Sequence, residues 1–138
     1  MNDNGSKFSF HAYKVALDIA KKYNSKLTVV TCIERAARRG FWYSDPRIDT
    51  QIVKMQSKAA KTQIAKLDVL AKKEGVSISS NLVETSSIVK SLVDFVKTKE
   101  IDLVVIGSHG RTGVNKLILG SVANGVSQQV RSPVLIVR

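Results

Sequence analysis

Glycines near the carboxyl terminus are spaced so that they can surround an anion. Gly107 and Gly110 are separated by two residues, and nine residues then precede Gly120 and Ser121. Because glycine has no Cβ, a ligand can approach its backbone closely, and the unpaired N–H groups where a helix begins can hold phosphate oxygens. The chemistry that this spacing predicts is phosphate binding.

Two apolar segments and one helical segment must position these glycines. Residues 101–106 are mostly apolar, residues 115–129 suit a helix, and residues 134–137 form a second apolar run. A buried strand, a glycine loop, a helix and another buried strand make a βαβ unit. Ligands of such units usually bind at the carboxyl end of the strand, where we expect the glycine loop.

The glycine spacing, Gly-x2-Gly-x9-Gly-Ser, resembles the nucleotide-binding pattern of the universal stress protein family. Three short segments also resemble the sequences of that family. They are Gly-Ser-His-Gly-Arg-Thr-Gly at 107–113, Leu-Gly-Ser-Val-Ala at 119–123 and Ser-Pro-Val-Leu-Ile-Val at 132–137. The resemblance is specific over residues 101–137, looser over residues 4–34 and weak in the middle of the chain.

The resemblance implies a site for ATP or another adenine nucleotide, alone or with Mg²⁺. The phosphates would lie in the glycine loop, and the adenine would lie near Asn4 and Cys32. Asn4 stands where the family usually has Asp, and its amide oxygen can still accept from an adenine amino group. Arg111 offers a cation for the phosphates. The predicted ligand-binding residues are Asn4, Cys32, Gly107, Gly110, Arg111, Gly120, Ser121 and Val122.

Three of the residues near this site have a simpler interpretation. Cys32 can be a buried residue at the end of a strand, and Arg111 can be a solvated cation beside an open loop. His109 carries an imidazole, a group that often serves in acid–base catalysis, but the sequence pairs it with no nucleophile or carboxylate. We therefore predict no catalytic residue and no metal site built by the protein.

Apolar periodicity predicts an α/β fold in which strands alternate with helices. The resemblance implies one domain over residues 1–138, with a parallel sheet of order 3-2-1-4-5 sandwiched by helices, an arrangement like that of adenine nucleotide alpha hydrolases. Only three residues precede Asn4, so we expect this sheet to lack its first strand. The other predicted elements are helices over 8–23, 51–74 and 88–99 and strands over 27–33 and 76–84.

The chain is basic, with 22 Lys and Arg against 11 Asp and Glu. Such a surface attracts polyanions, although lysines on solvated helix faces account for it equally well. Residues 35–49 form a loop that is rich in arginine and aromatic residues. This loop can pack onto the domain, act as a lid or subunit contact, or bind single-stranded nucleic acid.

A single cysteine, Cys32, suits a reducing cytoplasm, and no apolar run approaches the ~18 residues of a membrane span. We therefore predict a cytoplasmic protein that does not bind membranes. The sequence contains no Walker A motif and none of the common zinc, dithiol or α/β-hydrolase motifs.

These observations predict a stress-response or signalling module that binds ATP and changes its conformation or its choice of partner. We expect a homodimer that forms through the apolar strand at 134–137, because an open strand edge tends to find a partner. Two alternatives remain open. One is a slow ATPase, and the other is a protein that binds nucleic acid or another polyanion through its basic loop.

Overall fold

Helices and strands alternate along the chain in a computed structural model that describes residues 4–35, 46–109 and 119–138. Their apolar periodicity explains the alternation, since the helices carry an apolar stripe and the strands carry β-branched residues. The elements are α1 (Asn4–Tyr23), β1 (Leu27–Glu34), α2 (Pro46–Lys73), β2 (Ile78–Thr85), α3 (Ile88–Thr98), β3 (Val104–Gly107), α4 (Ser121–Gln129) and β4 (Val134–Val137).

The strands form two parallel pairs within the described residues. β1 pairs with β2 from Leu27 opposite Ile78 to Glu34 opposite Thr85. β3 pairs with β4 from Val104 opposite Val134 to Gly107 opposite Val137. These pairs match strands 2 and 3 and strands 4 and 5 of the predicted order, and they confirm the α/β class with parallel strands. The predicted order has its first strand between the two pairs, and no described segment supplies it.

One compact unit contains α1, most of α3, β3, α4 and β4. The apolar face of α1 is buried through Ala12, Ala16 and Ala20. Helix α4 buries Ala123 and Val126, and it approaches α3 so closely that a Cβ on Gly125 would lie 2.9 Å from a Val89 methyl carbon. Small residues on these helices therefore allow the unit to pack tightly.

The second unit contains β1, α2 and β2. Its buried apolar residues are Ile33 at the end of β1, Leu67 and Ala71 on the last turns of α2, and Val76 in the turn that follows. By contrast, the first turns of α2 expose Ile48 and Met55. The core of this unit thus lies towards the carboxyl end of α2.

Three helices end in the same kind of turn. After α1, α2 and α3 the chain passes through Asn24, Gly75 and Glu100, which adopt φ of 52°, 72° and 51°. After α2 and α3, paired backbone hydrogen bonds close a Schellman motif, for example Val76 N–H to the Ala71 carbonyl and Gly75 N–H to the Lys72 carbonyl. The predicted helix stop at Gly75 is confirmed.

Several predicted boundaries differ from those in the structure. Helix α1 begins four residues before Phe8, and α2 begins at Pro46 because proline suits the first turn of a helix. β3 begins at Val104 rather than at residue 101, since its first ladder bond joins Val104 N–H to the Pro133 carbonyl. Most of the basic loop predicted over 35–49 lies outside the described residues.

Within the described residues, no helix is both long enough and apolar enough to cross a membrane.

Candidate functional site

Two hydrogen bonds hold the end of β3 between β4 and α4. Ser108 N–H donates to the Val137 carbonyl over 2.8 Å, which extends the β3–β4 ladder by one residue. Gly120 N–H donates to the Ser108 carbonyl over 2.7 Å. The structure therefore brings together Gly107 and Gly120, the two sides of the predicted phosphate loop, although they are separated by twelve residues of sequence.

The start of α4 presents unpaired donors at this point. Gly120 is the N-cap residue, with an extended backbone (φ −60°, ψ 153°), and no side chain of a described residue caps the helix. The first intrahelical bond runs from Asn124 N–H to the Gly120 carbonyl over 2.9 Å. The N–H groups of Ser121 and Val122 precede that bond, so they can donate to an anion. The helix was predicted from residue 115. Within the described residues α4 begins at Ser121, and residues 119 and 120 are not helical.

Ser108 and His109 form a buried polar pair beside this helix start. Ser108 is 1% exposed and His109 is 7% exposed. The Ser108 hydroxyl lies 2.9 Å from His109 Nδ1, and the His109 ring packs against the Phe8 ring with centroids 5.0 Å apart. A serine this deeply buried cannot reach a substrate without an opening of the loop. The arrangement therefore suits a structural role, in which Ser108 fixes the orientation of the imidazole.

The sequence did not identify Ser108 as a site residue, although its neighbours Gly107 and His109 were both considered as candidates. The Ser108 side chain can fix the imidazole because it is buried, and this burial was not expected since serine is more often exposed. The position next to His109 in the glycine loop was the available signal, because a hydroxyl and an imidazole can pair when the backbone turns between them.

Gly107 is required by helix packing. A Cβ at this position would lie 2.9 Å from the backbone carbonyl carbon of Phe8, closer than real Cβ contacts allow. The first turns of α1 therefore press against the end of β3. This packing gives a reason for glycine at 107 that does not involve a ligand.

The remaining predicted residues are placed less directly. Asn4 is the first residue of α1, and Cys32 lies in β1 of the second unit. Burial raises the pKa of the Cys32 thiol, so this side chain stays protonated near neutral pH. Gly110 and Arg111 lie outside the described residues.

The described residues include no group of three or more His, Cys, Asp and Glu side chains that could hold a metal ion.

Comparison with known proteins identifies the family. The model of the universal stress protein family matches residues 3–138. The chain belongs to the universal stress protein family. It is 28% identical to a universal stress protein of Methanocaldococcus jannaschii over 140 aligned positions, which cover 98% of this chain and 78% of the relative. It is 26% identical to universal stress protein YxiE of Bacillus subtilis, with 98% and 94% of the two chains covered.

Solved structures of the universal stress protein family share the fold. UspA of Lactobacillus plantarum superposes with a TM-score of 0.80 at 19% identity, and the match covers 92% of this chain and 87% of that one. A universal stress protein in complex with cAMP superposes with a TM-score of 0.67 at 25% identity, over 98% and 90% of the two chains.

Proposed function

We propose that this universal stress protein binds an adenine nucleotide at the carboxyl end of β3 and acts as a stress-response or signalling module. The observation that carries the proposal is the bond from Gly120 N–H to the Ser108 carbonyl, which sets the uncapped start of α4 beside Gly107. The complex of a similar universal stress protein with cAMP supports an adenine nucleotide as the ligand.

The phosphates would interact mainly with backbone donors. The N–H groups of Ser121 and Val122 point away from the body of α4, and the exposed Ser121 side chain adds a hydroxyl. The helix dipole adds positive potential, typically worth about 0.3–1 kcal/mol for an exposed anion. In this proposal Gly110 and Arg111 complete the phosphate contacts, and Asn4 and Cys32 contact the adenine.

The proposed ligand is ATP with Mg²⁺, and binding changes the conformation of the protein or its choice of partner. The protein works as a homodimer that forms through the outer edge of β4. Within the described residues β4 pairs only with β3, and its Leu135 side chain is 39% exposed. A short apolar edge of this kind is stabilised by pairing with another strand.

Calorimetric titration of the whole chain with Mg-ATP tests the binding site. We expect micromolar affinity in the wild type. Ser121→Ala removes a donor to a charged ligand and should weaken binding by about tenfold or more. Ser127→Ala is the matched control, because Ser127 lies on the same helix but its hydroxyl donates to the Asn124 carbonyl. Its affinity should equal that of the wild type.

Two outcomes would count against the proposal. One is a folded protein that binds neither ATP, AMP nor cAMP at millimolar concentration, and the other is equal weakening by both serine variants. A separate assay of phosphate release with excess ATP distinguishes a binding module from a slow ATPase, since sustained release that Ser121→Ala abolishes would favour the enzyme.

Light scattering tests the β4 interface. Leu135→Lys places a charge on the exposed part of the strand, and we expect it to convert a dimer into a monomer. Gln129→Lys adds the same charge at an exposed position at the end of α4 and serves as the control. A dimer that persists in Leu135→Lys would exclude β4 as the interface.

A further inference from the structure

Helix α2 is longer than the strands on which it packs. Its 28 residues span about 42 Å, whereas the eight residues of β1 and the eight of β2 each span about 26 Å. The buried residues of α2, Leu67 and Ala71, lie near its carboxyl end, and no residue from 47 to 62 is buried. The first half of α2 therefore has side chains that the core of this unit does not use.

Apolar side chains are exposed in a line along this first half. Ile48, Ile52 and Met55 are 54%, 39% and 72% exposed, and Ala59 is exposed as well. Their spacings of four, three and four residues are those of the d and a positions of a heptad repeat, so all four lie on one side of the helix. This apolar line of four residues is about 16 Å long.

The apolar line is narrow and separate from the buried side of α2. At about 100° of rotation per residue, it lies roughly 110° around the helix from Leu67 and Ala71, and its residues occupy a sector about 60° wide. Gln51 and Gln56 border it. A helix that lies on a core or a membrane usually has a wider apolar side, whereas a seam of this width is typical of contact with one other helix. The shape of the line therefore favours a helical partner.

Lysines beside the apolar line have no acidic partner among the described residues. Lys58 lies one heptad after Gln51 on one side of the line, and Lys54 and Lys61 are exposed one row farther around the helix. Residues 50–67 contain four lysines but no Asp or Glu, and none of these three lysines makes an ion pair with a described residue. Like charges spaced three and four residues apart destabilise a helix. An acidic partner would remove this cost.

The combination of charge and exposed apolar side chains identifies the chemistry of the partner. A nucleic-acid backbone would satisfy the lysines but would leave Ile48 and Met55 exposed. A second copy would bring the same lysines together, and each chain carries a formal net charge of +11. An amphipathic helix with acidic residues beside its apolar seam satisfies both features of α2 at once.

We propose that residues 47–62 of α2 dock an acidic amphipathic helix of a different protein. Its apolar seam packs on Ile48, Ile52 and Met55, and its carboxylates lie on the side of Lys58. The partner helix is at least two heptads long, because the apolar line spans two heptads. The docking surface uses none of the residues assigned to the nucleotide and does not depend on nucleotide binding.

Two synthetic peptides, each three heptads long and labelled with fluorescein, test the proposal. Both have Leu at every a and d position, but one has Glu and the other has Lys at every e and g position. Like charges keep each peptide from pairing with itself. Fluorescence anisotropy with the whole chain at low salt should show micromolar binding of the acidic peptide and no binding of the basic peptide. Equal binding of the two peptides, or no binding of either by the folded protein, would overturn the proposal.

Met55→Ser removes the most exposed apolar side chain of the line and should weaken binding of the acidic peptide by about ten-fold. Tyr23→Ser is the matched control, because Tyr23 is 68% exposed at the end of α1, and its affinity should equal that of the wild type. Both variants should keep the wild-type midpoint of urea unfolding, since exposed side chains contribute little to stability. A midpoint that falls in Met55→Ser alone would mean that Met55 packs within its own chain, which contradicts the proposal.

The role of charge is tested by two triple variants that lower the net charge equally. Each replaces three exposed lysines with alanine, at Lys54, Lys58 and Lys61 in one variant and at Lys22, Lys26 and Lys97 in the other. The first should weaken binding of the acidic peptide by about five-fold or more and reduce its dependence on salt. The second should keep nearly the wild-type affinity and salt dependence. Equal weakening in the two variants would mean that net charge alone attracts the peptide, and the docking surface would be ruled out.

Competition experiments distinguish this partner from the others. Duplex DNA that displaces the peptide, and that binds Met55→Ser as tightly as the wild type, would assign the lysines to a phosphate backbone. Vesicles of phosphatidylglycerol that retain the wild type but not Met55→Ser would assign the apolar line to a membrane surface. Either result would overturn the acidic helix as the partner. Mg-ATP titration of the same variants should give the wild-type affinity, so failure of this proposal is distinguishable from failure of nucleotide binding.

Discussion

The carboxyl ends of the two strand pairs are built differently. Beyond β3 and β4, Ser108 and His109 are almost fully buried, and backbone hydrogen bonds tie Ser108 to Val137 and Gly120. At the carboxyl ends of β1 and β2, a backbone bond joins Arg35 to Thr85, and the Arg35–Glu84 ion pair spans 3.6 Å with side chains 60% and 45% exposed.

The difference shows where polar contacts matter in this protein. A buried polar group that loses its partner pays the full cost of its desolvation, whereas an exposed ion pair exchanges its partner for water. We therefore expect substitutions at the end of β3 to change stability much more than substitutions of similar size at the end of β1.

Gly107→Ala should produce the largest effect. The new Cβ would lie 2.9 Å from the Phe8 backbone, which cannot rotate away as a side chain can. We expect the free energy of unfolding to fall by about 1–3 kcal/mol, as measured by urea denaturation.

Gly125→Ala is the control, because its Cβ meets the Val89 side chain, and alanine is favoured over glycine in a helix by about 1 kcal/mol. Both Val89 methyl carbons would lie 2.9 Å from the new Cβ, so a loss remains, but it should be smaller than that of Gly107→Ala. Equal losses in the two variants would mean that a Cβ clash with the Phe8 backbone destabilises the protein no more than a Cβ clash with the Val89 side chain.

Ser108→Ala should produce a smaller loss, of about 1–2 kcal/mol, because it removes the hydroxyl from the buried pair with His109 Nδ1. Ser79→Ala deletes the same chemical group from an exposed pair, in which the Thr28 and Ser79 hydroxyls are 2.9 Å apart. It should change stability by less than about 0.5 kcal/mol. Thermal and urea unfolding of both variants would compare the two losses, and a larger loss for Ser79→Ala would mean that burial does not decide the cost of removing such a hydroxyl.

Arg35→Met should produce the smallest effect, within about 0.5 kcal/mol at low salt and less at high salt. Methionine keeps much of the aliphatic stem and removes the charge. Urea denaturation at two salt concentrations would measure the change. A salt-independent loss above about 1 kcal/mol, which exceeds what exposed ion pairs contribute, would mean that Arg35 has a buried partner.

The sequence predicted the elements whose signals are local. The run at 134–137 became β4 without a change of boundary, and Gly75 ended α2 as expected, since apolar runs and left-handed glycines act over a few residues. Glu100 was not predicted as a left-handed residue, because glutamate rarely adopts that conformation and only the Schellman bonds after α3 require it.

The candidate site was predictable in part. Glycine spacing placed Gly107 and Gly120 on one loop, and the structure joins the two sides of that loop through Ser108. The burial of Ser108 and His109, and the contact of Phe8 with Gly107, depend on a helix that is distant in sequence. No local pattern contains that information. The assignments of Asn4 and Cys32 rest on the family resemblance and stay predictions.

The contact of Phe8 with Gly107 also constrains how the chain can fold during synthesis. These residues are 99 positions apart in the sequence. A ribosome that adds about 5–20 residues per second needs roughly 5–20 s to make the interval between them. The second unit, Lys26–Ile88, is one continuous stretch of sequence, so all of it has been synthesised before Gly107 is added. The apolar stripe of α1, by contrast, still lacks β3, on which it finally packs, so we expect this helix to stay exposed until β3 has been made.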